Sequence, residues 1–125
     1  MNPEKPIEAM KKPGDEDAVH LGAFVNDKLI GIVSFYEEEQ TIWRIRGMAV
    51  NPSYQKKGIG RRLIETGYEL LENVMTIWCN SRISAIPFYE RLGFTAVSEE
   101  FYLPGHGKRI RMEIMRRGEL SKKTL

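Results

Sequence analysis

The sequence predicts an α+β domain, a mixed and mostly antiparallel sheet flanked by helices, and three observations carry that prediction. The first half alternates apolar and polar residues from Ala18 to Val50, which is strand-type patterning. One run, from Gly58 to Asn73, instead places Ile59, Leu63, Ile64, Tyr68 and Leu71 at helical spacing. The last third then returns to alternation, with Ile110, Met112 and Ile114 set against Arg109, Arg111 and Glu113. At 125 residues and 42% hydrophobic content the chain has room for one core.

In order, residues 1–17 are rich in Pro, Lys, Glu and Asp and read as an extended, mostly exposed lead-in to a domain over 18–116. Val19, Leu21, Ala23 and Val25 alternate, Asn26-Asp27-Lys28 turns the chain, and Leu29 to Tyr36 completes a hairpin. Glu37-Glu38-Glu39-Gln40 reads as a polar turn before a third strand from Thr41 to Val50. After the long helix, Met75-Thr76-Ile77-Trp78-Cys79 suits a buried strand. A short helix follows, with Ser84 as N-cap, Pro87 in the first turn and Gly93 at its end. Phe94 to Leu103 and Lys108 to Arg116 read as strands around Pro104-Gly105-His106-Gly107, and 117–125 is a frayed tail. The order is ββ, β, α, β, α, ββ. The helix between the strands ending at Val50 and Cys79 requires those two to be parallel.

Composition excludes several classes. A net charge of +2 argues against extended nucleic-acid binding, which calls for a strongly basic face. A single cysteine makes no internal disulfide, so a reducing cytoplasm is the simplest compartment. No long apolar segment or signal-peptide pattern places the chain in a membrane, and no metal-ligand cluster is expected.

The chemistry concentrates at Gln55-Lys56-Lys57-Gly58-Ile59-Gly60, where a loop becomes a helix N-terminus. The first amides of a helix have no intrahelical partner and the helix dipole adds positive charge there. Glycines 58 and 60 allow close approach, and Lys56, Lys57, Arg61 and Arg62 surround the loop, so a diphosphate suits it. A Walker A loop needs Gly-Lys-Ser/Thr, whereas Gly60 precedes Arg61-Arg62. A dinucleotide fingerprint needs a third glycine and a later acidic residue, and neither is in place.

The pattern strand, Gln/Arg-x-x-Gly-x-Gly/Ala, long helix resembles the acetyl-CoA loop of the GNAT acyltransferases. A second stretch, Asn80-Ser81-Arg82-Ile83-Ser84-Ala85-Ile86-Pro87-Phe88-Tyr89-Glu90-Arg91-Leu92-Gly93-Phe94, is similar to that family's other signature. The resemblance implies an acetyl-CoA-dependent N-acyltransferase with a direct transfer to a primary amine of a small molecule or peptide. It implies that the loop amides, Gln55 to Arg61, bind the coenzyme diphosphate, and that the strands ending at Val50 and Cys79 splay apart. Met48, Ala49 and Val50 would offer backbone groups to the pantetheine arm, Asn80 and Phe88 would contact the coenzyme, and Tyr89 would be the general acid that protonates the departing thiolate. It also implies that the family's first strand and helices, which wall the acceptor site, are mostly missing. A second subunit could then supply that wall, making a homodimer.

The rival is a non-catalytic acyl-CoA-binding or assembly module. Glu37, Glu38, His20 and His106 are of the right type for a general base, but none is singled out by its surroundings. Arg44 and Arg46 share one strand face and would favour a carboxylate-bearing acceptor if they face it; surface charge is the alternative. Cys79 reads as an inert core thiol.

Overall fold

A computed structural model describes residues 7–10, 18–71 and 73–115. Strands β1 (Ile7–Met10), β2 (Ala18–Val25), β3 (Lys28–Glu39) and β4 (Ile42–Val50) form an antiparallel run. Helix α1 (Ile59–Leu70) then crosses to β5 (Thr76–Arg82), parallel to β4, and α2 (Ile86–Arg91) follows. Strands β6 (Thr95–Ala96), β7 (Phe101–Leu103) and β8 (Gly107–Met115) complete one sheet of order β1-β2-β3-β4-β5-β8-β6, with β7 also on β8. The mixed, mostly antiparallel sheet expected from sequence is thus present.

The β2–β3 turn is tight because Asn26 (φ 49°) and Asp27 (φ 66°) both take left-handed conformations, as a two-residue turn of this hand demands. One sheet face is apolar: Leu21, Val33, Phe35, Ile45, Ile77 and Met112 are buried there with Leu63 and Ile64 of α1 and with Phe94. The close approach of α1 is made at Gly67, where an added Cβ would lie 2.3 Å from the Phe35 ring. The opposite face carries His20, Ser34, Tyr36, Arg44, Trp78 and Arg111, residues that alternate with the core positions and pair in register across β2, β3, β4, β5 and β8.

Several boundaries differ from expectation. The 1–17 lead-in contributes β1, paired with β2 from Ile7↔Ala23 to Met10↔His20; its other residues lie outside the described ones, as does the 117–125 tail. Glu37 to Glu39 are strand rather than turn: Glu37 pairs with Trp43 and Glu39 with Ile42, so the chain reverses at Gln40-Thr41. The expected continuous strand from Phe94 to Leu103 is broken into β6 and β7, with Ser98 Oγ bridging the break by accepting from Arg111 N–H at 2.9 Å. Strand β5 runs three residues past Cys79, and the α2 cap position is Ala85, because a 3-10 turn over Ile83–Ala85 takes up Ser84.

Candidate active site

The parallel pairing of β4 with β5 lasts for three rungs, Ile42↔Thr76, Trp43↔Ile77 and Arg44↔Trp78. Beyond it the strands part. Strand β5 continues on β8 to Arg82↔Arg109, while β4 stays with β3 through a bulge in which Gly47 (φ 72°) and Met48 oppose the single residue Val33. Ile45 to Val50 therefore present one strand edge, without β5 partners, to a wedge-shaped gap. The expected splay is present, and Met48, Ala49 and Val50 line it. The Val50 carbonyl is already engaged, accepting from Gln55 Nε2 at 2.9 Å.

That hydrogen bond ties the start of the 55–60 loop to the end of β4. Gly58, at φ 80°, is the N-cap of α1 and no side chain caps the helix. The first intrahelical acceptor is Gly58 O, reached by Arg62 N–H at 3.1 Å, so the amides of Ile59, Gly60 and Arg61 precede it at the open end. A Cβ on Gly58 would meet nothing within 4 Å, so the backbone is open to a ligand. Gly60 has a different reason: its Cβ would lie 2.6 Å from Phe88 Cζ and 3.2 Å from Met48 Cε, so the small residue seats α2 against α1. Lys57 Nζ lies 5.8 Å from the Tyr54 ring centroid, and Lys56 takes a left-handed φ of 63°. The Arg61 side chain points elsewhere than the loop, donating from Nη2 to Arg91 O at 3.0 Å and fastening α1 to the end of α2.

Tyr89 is buried on the helix side of the sheet between Phe88 and Phe94, with centroids 5.1 and 5.2 Å away. Its hydroxyl and the Cys79 thiol are hydrogen-bond partners. Burial, then the neighbouring Cys79, pushes the phenol well above its ordinary value. Burial likewise pushes Cys79 from 9.0 to about 12, against the lesser pull of the Tyr89 hydrogen bond and the Arg44 charge. Cys79 is thus the inert thiol expected from sequence. Because the thiol is raised in the folded chain, the unfolded chain ionises first, so its contribution to stability is whole below about pH 9 and is lost as pH rises toward 12. Melts in urea should show stability falling over that window by about 1.4 kcal/mol per pH unit for this group. At pH 8 a thiol reagent should label the unfolded chain only, and rapid labelling of the folded protein would refute the burial.

Asn80 lies inside β5, opposite Arg111, rather than after the strand, on the face away from α1. Glu38, which sequence left as one of several carboxylates, accepts from Trp78 Nε1 at 2.8 Å, and His20 Nδ1 lies 2.7 Å from Ser34 Oγ. His106 sits in the exposed turn between β7 and β8. Among the described residues no group of three or more His, Cys, Asp or Glu side chains could hold a metal, and no helix is long and apolar enough to cross a membrane.

A parallel strand pair that opens into a wedge, with an uncapped helix N-terminus at its mouth, defines the acyl-CoA N-acyltransferase architecture. The family model described as "Acetyltransferase (GNAT) domain" matches residues 1–115, and the chain belongs to that family. It is 34% identical over 122 residues to the uncharacterized N-acetyltransferase YitI of Bacillus subtilis (strain 168), covering 90% of this chain and 82% of that protein. A shorter match, 44% over 62 residues, is to the ribosomal protein bS18-alanine N-acetyltransferase of Escherichia coli (strain K12); it covers 46% of this chain and only 40% of that relative. Among solved structures, an aminoglycoside 6'-N-acetyltransferase complexed with coenzyme A superposes with a TM-score of 0.72 at 19% identity, over 81% of this chain and 74% of that one. The E. coli ribosomal-protein-S18-alanine N-acetyltransferase superposes at 0.67 and 28%, over 80% and 70%. The protein is a GNAT-type N-acetyltransferase, and its acyl donor is acetyl-CoA.

Proposed function

We propose that this chain transfers the acetyl group of acetyl-CoA to a primary amine by direct attack in a ternary complex, without an acyl-enzyme. The observation that carries the reading is the wedge between β4 and β5 with the open end of α1 beside it. Acetyl-CoA supplies an electrophilic thioester. The amides of Ile59, Gly60 and Arg61, with Lys56 and Lys57 near them, hold its diphosphate. The edge of β4 from Met48 to Val50 would lend backbone hydrogen bonds to the pantetheine arm, and an N–H near Val50 would be the donor available to the thioester oxygen. Gln55, by holding the Val50 carbonyl, fixes that edge relative to the loop. Phe88 and Asn80 flank the gap on opposite faces of the sheet. Tyr89 keeps a proton at Oη for the departing sulfur, and Cys79 cannot compete as a nucleophile because its thiol stays protonated.

The loop assignment is tested at Gly58 rather than Gly60, because Gly60 also packs on Phe88. Gly58→Val places a β-branched residue at φ 80° and fills the open space, a strain of about 1–2 kcal/mol before any clash with ligand. Calorimetry should show acetyl-CoA binding weakened about tenfold or more. Unchanged affinity would remove the diphosphate role from this loop.

A further inference from the structure

The sheet face away from the helices carries an arrangement that acetyl transfer alone does not require. Two guanidinium groups lie over the Trp78 ring: Arg44 Cζ is 4.6 Å and Arg111 Cζ 3.8 Å from its centroid. Arg46 Cζ lies 5.6 Å from the Tyr36 ring on the same face. Carboxylates with partners also lie on this face. Glu38 is occupied by the Trp78 indole N–H, and Glu113 pairs with Arg111 Nη2 at 3.3 Å. Arg44 and Arg46 make no ion pair among the described residues, and the buried Nε atoms of Arg44 and Arg111 have no hydrogen-bond acceptor among them. Arg82 and Arg109, opposite one another at the end of the β5–β8 pairing, add positive charge on the same side. Buried donors of this kind are costly to leave unmade, and guanidinium forks match carboxylates in geometry.

The location gives the cluster its meaning. Arg44↔Trp78 is the last rung before the gap, and Arg46 is two residues further along its edge. Tyr89 and Cys79 are buried on the helix side of the gap, where Phe88 packs beside Gly60, and the arginines stand on the other face. At roughly 3.3 Å of rise per residue, the bulge at Gly47–Met48 stands about 3–13 Å along the strand from these arginines. We propose that Arg44, Arg46 and Arg111 hold the carboxylate of the acceptor, which is therefore a small amine carrying a free carboxylate a few bonds from its nitrogen. The inference rests on the acetyl-transfer reading and names the substrate class of that same site.

The test uses the full chain saturated with coenzyme A, and pairs of probes that differ only in the carboxylate: N-acetyl-glycine, -alanine, -β-alanine and -glutamate against their carboxamides. The readout is the indole Nε1–H resonance of Trp78. At least one acid should shift it saturably, with affinity about tenfold above its amide, and exposed Arg46→Gln should lose most of that difference. Arg44→Gln should do the same, Arg46→Gln being the variant that leaves the packing under Trp78 intact. Equal behaviour of every acid and its amide, or an acid preference untouched by Arg46→Gln, overturns the carboxylate site. Coenzyme binding is measured separately by calorimetry. Its absence in the folded protein overturns the transferase reading itself, whereas coenzyme binding without acid preference overturns only the substrate class.

Discussion

Tyr89→Phe should lower kcat by about a hundredfold while leaving the acetyl-CoA dissociation constant within about threefold of the parent, the pattern of a lost general acid. An ordinary phenol at pKa about 10 and an ordinary thiol at about 8.5 are a fair match for proton transfer. Here burial raises the Tyr89 phenol well beyond that, which alone would make it a reluctant acid. The Cys79 thiol, its hydrogen-bond partner, is pushed up to about 12 by the same burial. A sulfur leaving beside Tyr89 in equally poorly solvated surroundings would also hold a proton more tightly, which would offset the phenol's reluctance to give one. A second consequence concerns pH. Turnover should climb as the acceptor amine deprotonates and show no decline from Tyr89 ionisation at any pH the fold survives. A Tyr89→Phe variant with parental kcat would reduce the residue to a packing role between Phe88 and Phe94.

The largest stability effect should come from the contact between Phe35 and Gly67. Phe35→Ala removes a fully buried ring beneath α1 and should cost about 3–5 kcal/mol. Gly67→Ala would ordinarily gain up to about 1 kcal/mol from helix propensity. The added methyl would sit 2.3 Å from the ring, so it should instead destabilise by about 1–3 kcal/mol. Combining the two should be far less damaging than their sum, because the methyl enters the space the ring vacates. Urea denaturation of the four proteins measures that coupling, and simple additivity would show that the ring moves aside without cost.

Much of this was readable from the chain because local and global signals agreed. Asn26-Asp27 between alternating runs dictated a hairpin, and Ile59, Leu63 and Ile64 traced the buried stripe of α1. The open helix start at 55–60 was legible because its glycines sit where strand gives way to helix. The failures share a cause, which is that strand pairing overrides composition. Glu37 to Glu39 look like a solvated turn until β4 pairs with them and Trp78 offers an indole N–H. Asn80 looks like a residue after a strand until β8 extends the pairing of β5 to Arg82. Sequence placed Arg44 and Arg46 on one face but could not bring Arg111 to Trp78. That meeting depends on β8 lying between β5 and β6, an adjacency that no local pattern encodes. The hydrogen bond joining Cys79 to Tyr89 was likewise hidden, since α2 must first fold back over β5.

The three-rung seam between β4 and β5 has a mechanical consequence as well. Strands β1 to β4 form one plate, and β5 with β6, β7 and β8 forms another. Among the described residues the plates join in the sheet plane at the Ile42–Arg44 and Thr76–Trp78 rungs and through Thr41 O, which accepts from the N–H groups of Met75 and Thr76, with α1 as a brace across one side. Flexing about that seam widens or narrows the far end of the wedge while disturbing little of the pairing within either plate. The Arg44–Trp78 rung thus stands where the pivot of a pair of pliers would, between two plates that are each more extensively paired within themselves.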